Sequence, residues 1–116
     1  LTMYLELNFQ IDYTMTSIIR IVRMTFSESN TVVFEALFAK HSDEISSQSG
    51  CFSVELVTDA SNPNVRTTIS RWDNEGSLNK YRKSVLFGKV WPETKQLFSA
   101  PPEVISYISH SKSHLQ

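Results

Sequence analysis

Cysteine is almost missing: Cys51 stands alone among 116 residues, which excludes an internal disulfide and any all-cysteine metal site. Glycine is scarce as well. Gly50, Gly76 and Gly88 are so widely spaced that no phosphate-cradling loop of the GxGxxG or GxxxxGK type exists. No charge of one sign dominates, since 11 Lys and Arg face 12 Asp and Glu for a net −1. That balance removes the basic field that nucleic-acid binding normally needs. No apolar run approaches the roughly 20 residues of a membrane span. With 41% hydrophobic residues, the chain suits one globular domain around one core. The expectation is a small cytoplasmic domain that binds something apolar or works without a classical nucleotide cofactor.

What is present is patterned. Leu5, Leu7, Phe9, Ile11 and Tyr13 alternate with Glu6, Asn8, Gln10 and Asp12, the period of a strand with one buried face. The segment lacks the zones of a secretory signal, so no export address is expected. Residues 1–14 read as an N-terminal extension. It is either an added edge strand, which a partner subunit could hold, or sequence upstream of the domain core. The alternating stripe favours the ordered strand.

The main body occupies residues 15–109. Ile18 to Phe26 is rich in β-branched residues and reads as a strand. Ser27, Ser29 and Asn30 supply helix-starting side chains. Phe34, Leu37, Phe38, His41 and Ile45 then recur at helical spacing, a stripe that ends near Gly50. Cys51 to Thr58 and Val65 to Trp72 read as strands joined by the Pro/Asn turn of residues 59–64, and they predict a hairpin. Asp73 or Asn74 caps a short helix carrying Leu78 and Tyr81. Ser84 opens another apolar-faced stretch, which Pro92 is expected to divide into two short helices. Val104 to Ile108 reads as a last strand, before a polar tail over residues 110–116.

The order β-α-β-β-α-β is the split-βαβ, ferredoxin-like arrangement of the α+β class, with helices on one face of an antiparallel sheet. The alternation places Arg20, Val22, Met24 and Phe26 on one face of the first strand, with Ile19, Ile21, Arg23 and Thr25 on the other. In the second strand Phe52, Val54 and Leu56 oppose Ser53, Glu55 and Val57. Apolar groups on both faces suit a sheet packed against a second copy of itself, a two-fold homodimer.

Residues Ile18 to Ile108 resemble the antibiotic biosynthesis monooxygenase superfamily of dimeric α/β barrels. The resemblance rests on the Gly50-Cys51-Phe52 turn with Glu55-Leu56 after it. It rests further on Trp72-Asp73-Asn74-Glu75, leading into Leu78, Tyr81 and Ser84-Val85-Leu86-Phe87. The superfamily includes oxygenases of phenols and quinols, haem-degrading enzymes, isomerases and members without known activity, and fold analogy does not choose among them. The haem-degrading branch places an asparagine, a tryptophan and an iron-binding histidine where this chain has Val22, Trp72 and Trp91. Valine cannot donate a hydrogen bond and indole has no lone pair for iron, so only Trp72 is kept.

The cofactor-free, phenol-oxidising branch asks less of the protein, because an electron-rich phenolate or quinol anion reduces oxygen itself. The resemblance therefore implies a cofactor-independent monooxygenase acting on a small aromatic and O2, with neither cofactor nor metal and with no nucleic-acid or membrane partner. The alternative is a non-catalytic binding or structural dimer of the same fold. Trp72 and Tyr81 are the candidate catalytic residues: Trp72 as a wall, Tyr81 as a hydrogen-bonding group for the substrate oxygen. Trp91, Thr68, Arg82, Phe87 and His41 are candidate binding residues. Arg82, Arg20 or Arg23 would favour the substrate anion by charge. Thr68 replaces an amide that some members carry four residues before the tryptophan, and it reaches less far.

Each candidate also has a packing explanation. Trp72 closes a strand and can cap the core. Trp91 and Phe87 lie on an apolar helical stripe, and Tyr81 is amphipathic. Arg82 lies between Lys80 and Lys83 on what reads as a solvated face, and His41 fits a hydrogen-bonded core histidine. His110 and His114 have helical metal-ligand spacing without a third ligand nearby. Cys51 reads as a small buried apolar group.

Overall fold

A computed structural model describes residues 16–110, so the alternating N-terminal segment and His114 lie outside the described residues. Within them run β1 (Ser17–Thr25), α1 (Glu28–Ser46), β2 (Cys51–Thr58), β3 (Val65–Trp72), α2 (Glu75–Arg82), α3 (Val85–Lys95) and β4 (Glu103–Ser109). The strands form a four-stranded sheet in the order β2-β3-β1-β4, with every neighbour antiparallel. This is the ferredoxin-like α+β fold expected from the order of elements, with the last helical stretch made of two helices. Among the described residues no helix is long and apolar enough to cross a membrane.

Local chemistry explains most boundaries. Glu28 lies in the first turn of α1, where a carboxylate meets the positive end of the helix dipole. Asn74 caps α2 by accepting from the Ser77 N–H, and Ser84 caps α3 by accepting from the Phe87 N–H. In the β2–β3 turn the Asp59 carboxylate accepts from the Ser61 and Asn62 N–H groups at 2.8 and 3.0 Å, an Asx-type turn.

Two expectations fail locally. Pro92 does not divide the last helical stretch, because α3 runs through it to Lys95. The carbonyl robbed of its partner belongs to Gly88, which has no Cβ to crowd the turn, and both residues are exposed so that water replaces the lost bond. Phe52 does not share a face with Val54 and Leu56 inside the core. The register shifts between Cys51 and Ser53, leaving Phe52 as the extra residue of a bulge, 65% exposed.

Register sets the two faces of the sheet. Ile18 pairs with Trp72, Arg20 with Ser70 and Val22 with Thr68, so these residues share the helix-covered face. Ile19, Ile21 and Ile69 lie on the open face beside Ile105 and Tyr107, which are 44% and 52% exposed. Arg23 is also on that side, paired with Glu103 at 2.8 Å. The core under the helices is split. Ile18, Trp72 and Leu78 pack at one end of β1, and Met24, Phe26 and Phe34 at the other.

Gly50 holds the passage from α1 to β2 in a left-handed turn with φ of 82°. Its carbonyl accepts from the Asp73 N–H at 2.8 Å, tying that turn to the start of α2. A Cβ there would lie 2.3 Å from the Ser77 Oγ and 2.4 Å from an Asp73 carboxylate oxygen. Gly50→Ala is therefore expected to cost about 2 kcal/mol from the left-handed backbone and the clash together. Urea unfolding of the two proteins measures it, and equal midpoints would mean that the turn relaxes freely.

Candidate functional site

The gap between the two core clusters is a cavity of about 410 Å³. Its origin lies in the middle of the sheet. Between the large residues at the ends of β1 and β3, the helix-covered face carries Arg20, Thr68 and Ser70, which are polar, and Val22, which is small. None of these fills the space beneath α2 and α3 as Trp72 or Phe26 does at the ends, and the helices cannot close over them. Small polar side chains in the central row thus leave a chamber with large apolar walls.

Aromatic rings in those walls, joined through Phe98 and Phe26 outside them, form one chain of contacts. Trp72 stacks on Tyr81 with centroids 5.3 Å apart, and Tyr81 meets Phe87 edge-on at 5.3 Å. Phe87 stacks on Trp91 at 5.9 Å, and Trp91 meets Phe98 at 5.8 Å. Phe98 leads to Phe26, which stacks on Phe34 at 4.7 Å. Offset and edge-to-face pairs of this kind are favourable beyond their buried area. The chain joins both core clusters around the cavity.

The polar groups of the wall are chiefly donors. The Trp72 indole N–H donates to the Ser70 Oγ at 2.9 Å, which leaves the Ser70 hydroxyl proton for another acceptor. Trp72 itself therefore offers a ring and no free N–H. Among the described residues no partner takes up the Tyr81 hydroxyl. Burial, reinforced by the neighbouring Cys51 thiol, pushes its pKa up to about 12. Tyr81 thus keeps its proton at neutral pH and serves as a hydrogen-bond donor rather than a base. Arg20 Nη1 donates to the Ser106 Oγ at 2.8 Å across the β1–β4 pair. Cys51 packs against the Ile18, Trp72 and Leu78 cluster, and burial raises its thiol pKa.

Of the candidates read from the sequence, Trp72, Tyr81, Trp91, Thr68, Arg82 and Phe87 all line this cavity. Arg20 lines it too, whereas Arg23 belongs to the opposite face. His41 does not line it. It is 3% exposed, with Nδ1 at 3.2 Å from a Glu44 carboxylate oxygen and Nε2 without a partner. The apolar face of α1 turns inward and takes the imidazole into the packing between neighbouring side chains. Ser70 was missed by sequence reasoning. Its signal was its place two residues before Trp72, on the same face of the same strand. Among the described residues no group of three or more His, Cys, Asp or Glu gathers as a metal site.

The antibiotic biosynthesis monooxygenase profile matches residues 17–91. No curated protein matches the chain significantly. Among solved structures, a conserved protein from Methanosarcina mazei superposes with a TM-score of 0.78 at 20% identity, covering 84% of this chain and 96% of that one. A Mycobacterium tuberculosis protein superposes with a TM-score of 0.77 at 16% identity, covering 84% and 98%. A Bordetella bronchiseptica protein, for which antibiotic biosynthesis monooxygenase activity has been suggested, reaches 0.71 at 22% identity, covering 78% and 94%. At these identities the likeness is one of fold.

The raised Tyr81 pKa has a consequence for stability. The folded chain holds this proton more tightly than the unfolded chain, where a tyrosine titrates near ~10. Stability is therefore fully present below pH ~10 and falls as pH rises toward 12. Tyr81→Phe is expected to remove part of that fall, on the order of 1 kcal/mol for a partly exposed hydroxyl. Urea unfolding from pH 8 upward measures it, and identical declines in both proteins would mean that the hydroxyl is fully solvated.

Proposed function

The chain belongs to the antibiotic biosynthesis monooxygenase family, and from that membership we propose that it is a cofactor-independent monooxygenase oxidising a small phenolic or quinol-like aromatic with O2. The observation that carries this reading is the shared cavity wall of Trp72, Tyr81 and Trp91, with donors from Tyr81 and Arg20 around one chamber. In the reaction, the substrate anion passes electrons to O2, which adds at a ring carbon as a hydroperoxide. One oxygen stays as a carbonyl, and the other leaves as water with the hydrogen of that carbon. The protein's part is to exclude water, hold the ring and stabilise the anion. Trp72 and Trp91 act as walls, Thr68 and Phe87 shape the floor, and Tyr81 donates to the substrate oxygen. Cationic Arg20 and Arg82 lower the substrate's pKa by charge.

The residues present do not fit haem. Val22, Trp72 and Trp91, which stand where the haem-degrading branch has its asparagine, tryptophan and histidine, line the same cavity, and among the described residues no histidine lines it. No step of the proposed reaction runs through that group.

The proposed working form is a homodimer joined through the open faces of the two sheets. Ile19, Ile21 and Ile69 with the half-exposed Ile105 and Tyr107 support it, because a single copy leaves that apolar face in water. In this reading the domain spans residues 15–109, the 1–14 extension is an added strand and 110–116 a tail. The setting is cytoplasmic, without nucleic-acid or membrane partners.

Oxygen uptake on a panel of quinols and anthrone-like phenols tests the activity. Turnover above background is expected, with Trp72→Phe and Tyr81→Phe each lowering kcat roughly tenfold to a hundredfold while the fold is kept. Silence across the panel favours the non-catalytic dimer, and unchanged rates in both variants move the site elsewhere. Sedimentation tests the assembly. Two copies are expected for the native chain and one for Ile21→Asp, and a native monomer would remove the dimer.

A further inference from the structure

Charge in the cavity is one-sided. Arg20 and Arg82 both line it, and among the described residues no Asp or Glu does. Outside the cavity Arg23 meets Glu103 at 2.8 Å and Arg66 meets Glu35 at 3.2 Å, while the exposed Arg71 stands in solvent. Among the described residues neither Arg20 nor Arg82 has such a partner. Among the described residues, the only side chain that engages the Arg20 guanidinium is the neutral Ser106 hydroxyl. That single acceptor leaves most of the five guanidinium N–H donors without a protein partner.

We propose that this cavity takes an aromatic carboxylate, its planar anion held between Arg20 and Arg82 and its ring against Tyr81, Phe87 and Trp91. The inference rests on the reading of this cavity as the substrate site, and it narrows the substrate class from any small phenol to one that carries a permanent negative charge. The guanidinium fork matches a carboxylate in shape as well as in sign. The neutral hydroxyls of Tyr81 and Ser70 add donors that a carboxylate or phenolate oxygen accepts and that repel no anion. Arg20 lies among half-buried groups while Arg82, on α2, is exposed. The anion therefore sits toward the open side, and the ring extends inward along the aromatic wall. Burial and the neighbouring Arg82 both press on the Arg20 cation and lower its pKa from the ordinary value. An anion between the two relieves a repulsion that the empty protein carries.

Calorimetric titration with 2-naphthoate and its neutral counterpart 2-naphthamide tests the inference without using oxygen. The native chain is expected to bind naphthoate roughly tenfold or more tightly than naphthamide. Arg82→Gln and Arg20→Gln should each remove most of that preference by weakening naphthoate binding far more than naphthamide binding, and Arg82→Lys should restore part of it. Because Arg82 is exposed, its variants keep the fold, which circular dichroism checks. Equal affinities for the two probes, a preference intact in both glutamine variants, or no binding of either probe at millimolar concentration would each overturn the inference. The oxygenase reading stands apart. A naphthoate preference in a protein that consumes no oxygen keeps the anion site and ends the oxygenase. Turnover of neutral quinols that naphthoate fails to inhibit does the reverse.

Discussion

The row of small and polar side chains across the centre of the sheet is the constraint from which the site follows. Thr68 and Ser70 face Val22 and Arg20 on the helix-covered side, between Ile18 and Trp72 at one end and Met24 and Phe26 at the other. A continuous apolar row would let the helices settle onto the sheet and merge the two clusters into one core. Close packing leaves no voids of this size without cause. Here the ends of the sheet prop the helical layer, and the centre stays open.

The aromatic chain from Trp72 to Phe34 bridges that opening. It links β3 to α2, α2 to α3, and α3 through Phe98 to Phe26, just past β1, and to α1. Its rings stabilise the fold by burial and pairing, and those of Trp72, Tyr81, Phe87, Trp91 and Phe34 also wall the chamber. Structure and site are therefore built from the same residues. Tyr81 illustrates the coupling: its ring joins Trp72 to Phe87, while its hydroxyl, held protonated by burial, remains a donor toward the chamber.

Alternation along one strand separates two kinds of arginine. Arg20 and Arg23 are an odd number of residues apart on β1 and so take opposite faces. Arg23 finds Glu103 on the adjoining strand and is neutralised. Arg20 meets Ser106 from the same strand on the other face and keeps its charge for the cavity. Membership in the antibiotic biosynthesis monooxygenase family accounts for the fold. Among the described residues Arg20 and Arg82 line the cavity without a carboxylate partner.

Period-two and helical spacing in the sequence determined the elements, their order and the face on which Arg20, Val22, Thr68 and Trp72 lie, because both periods are local properties of the backbone. Ser84 as a helix start was legible too, while the choice between Asp73 and Asn74 fell to the structure, which caps with Asn74. Where an outcome depended on what surrounded a residue, the sequence was silent or misleading. Pro92 stays within a helix because Gly88 and solvent absorb the lost bond, Phe52 leaves the core through a bulge, and His41 is sealed in packing away from the cavity. Only the tertiary structure decided that Ser70 receives the Trp72 N–H and that two arginines from different elements share a chamber that no described carboxylate lines. Those facts depend on distances between segments far apart in the chain, and no local period encodes such distances.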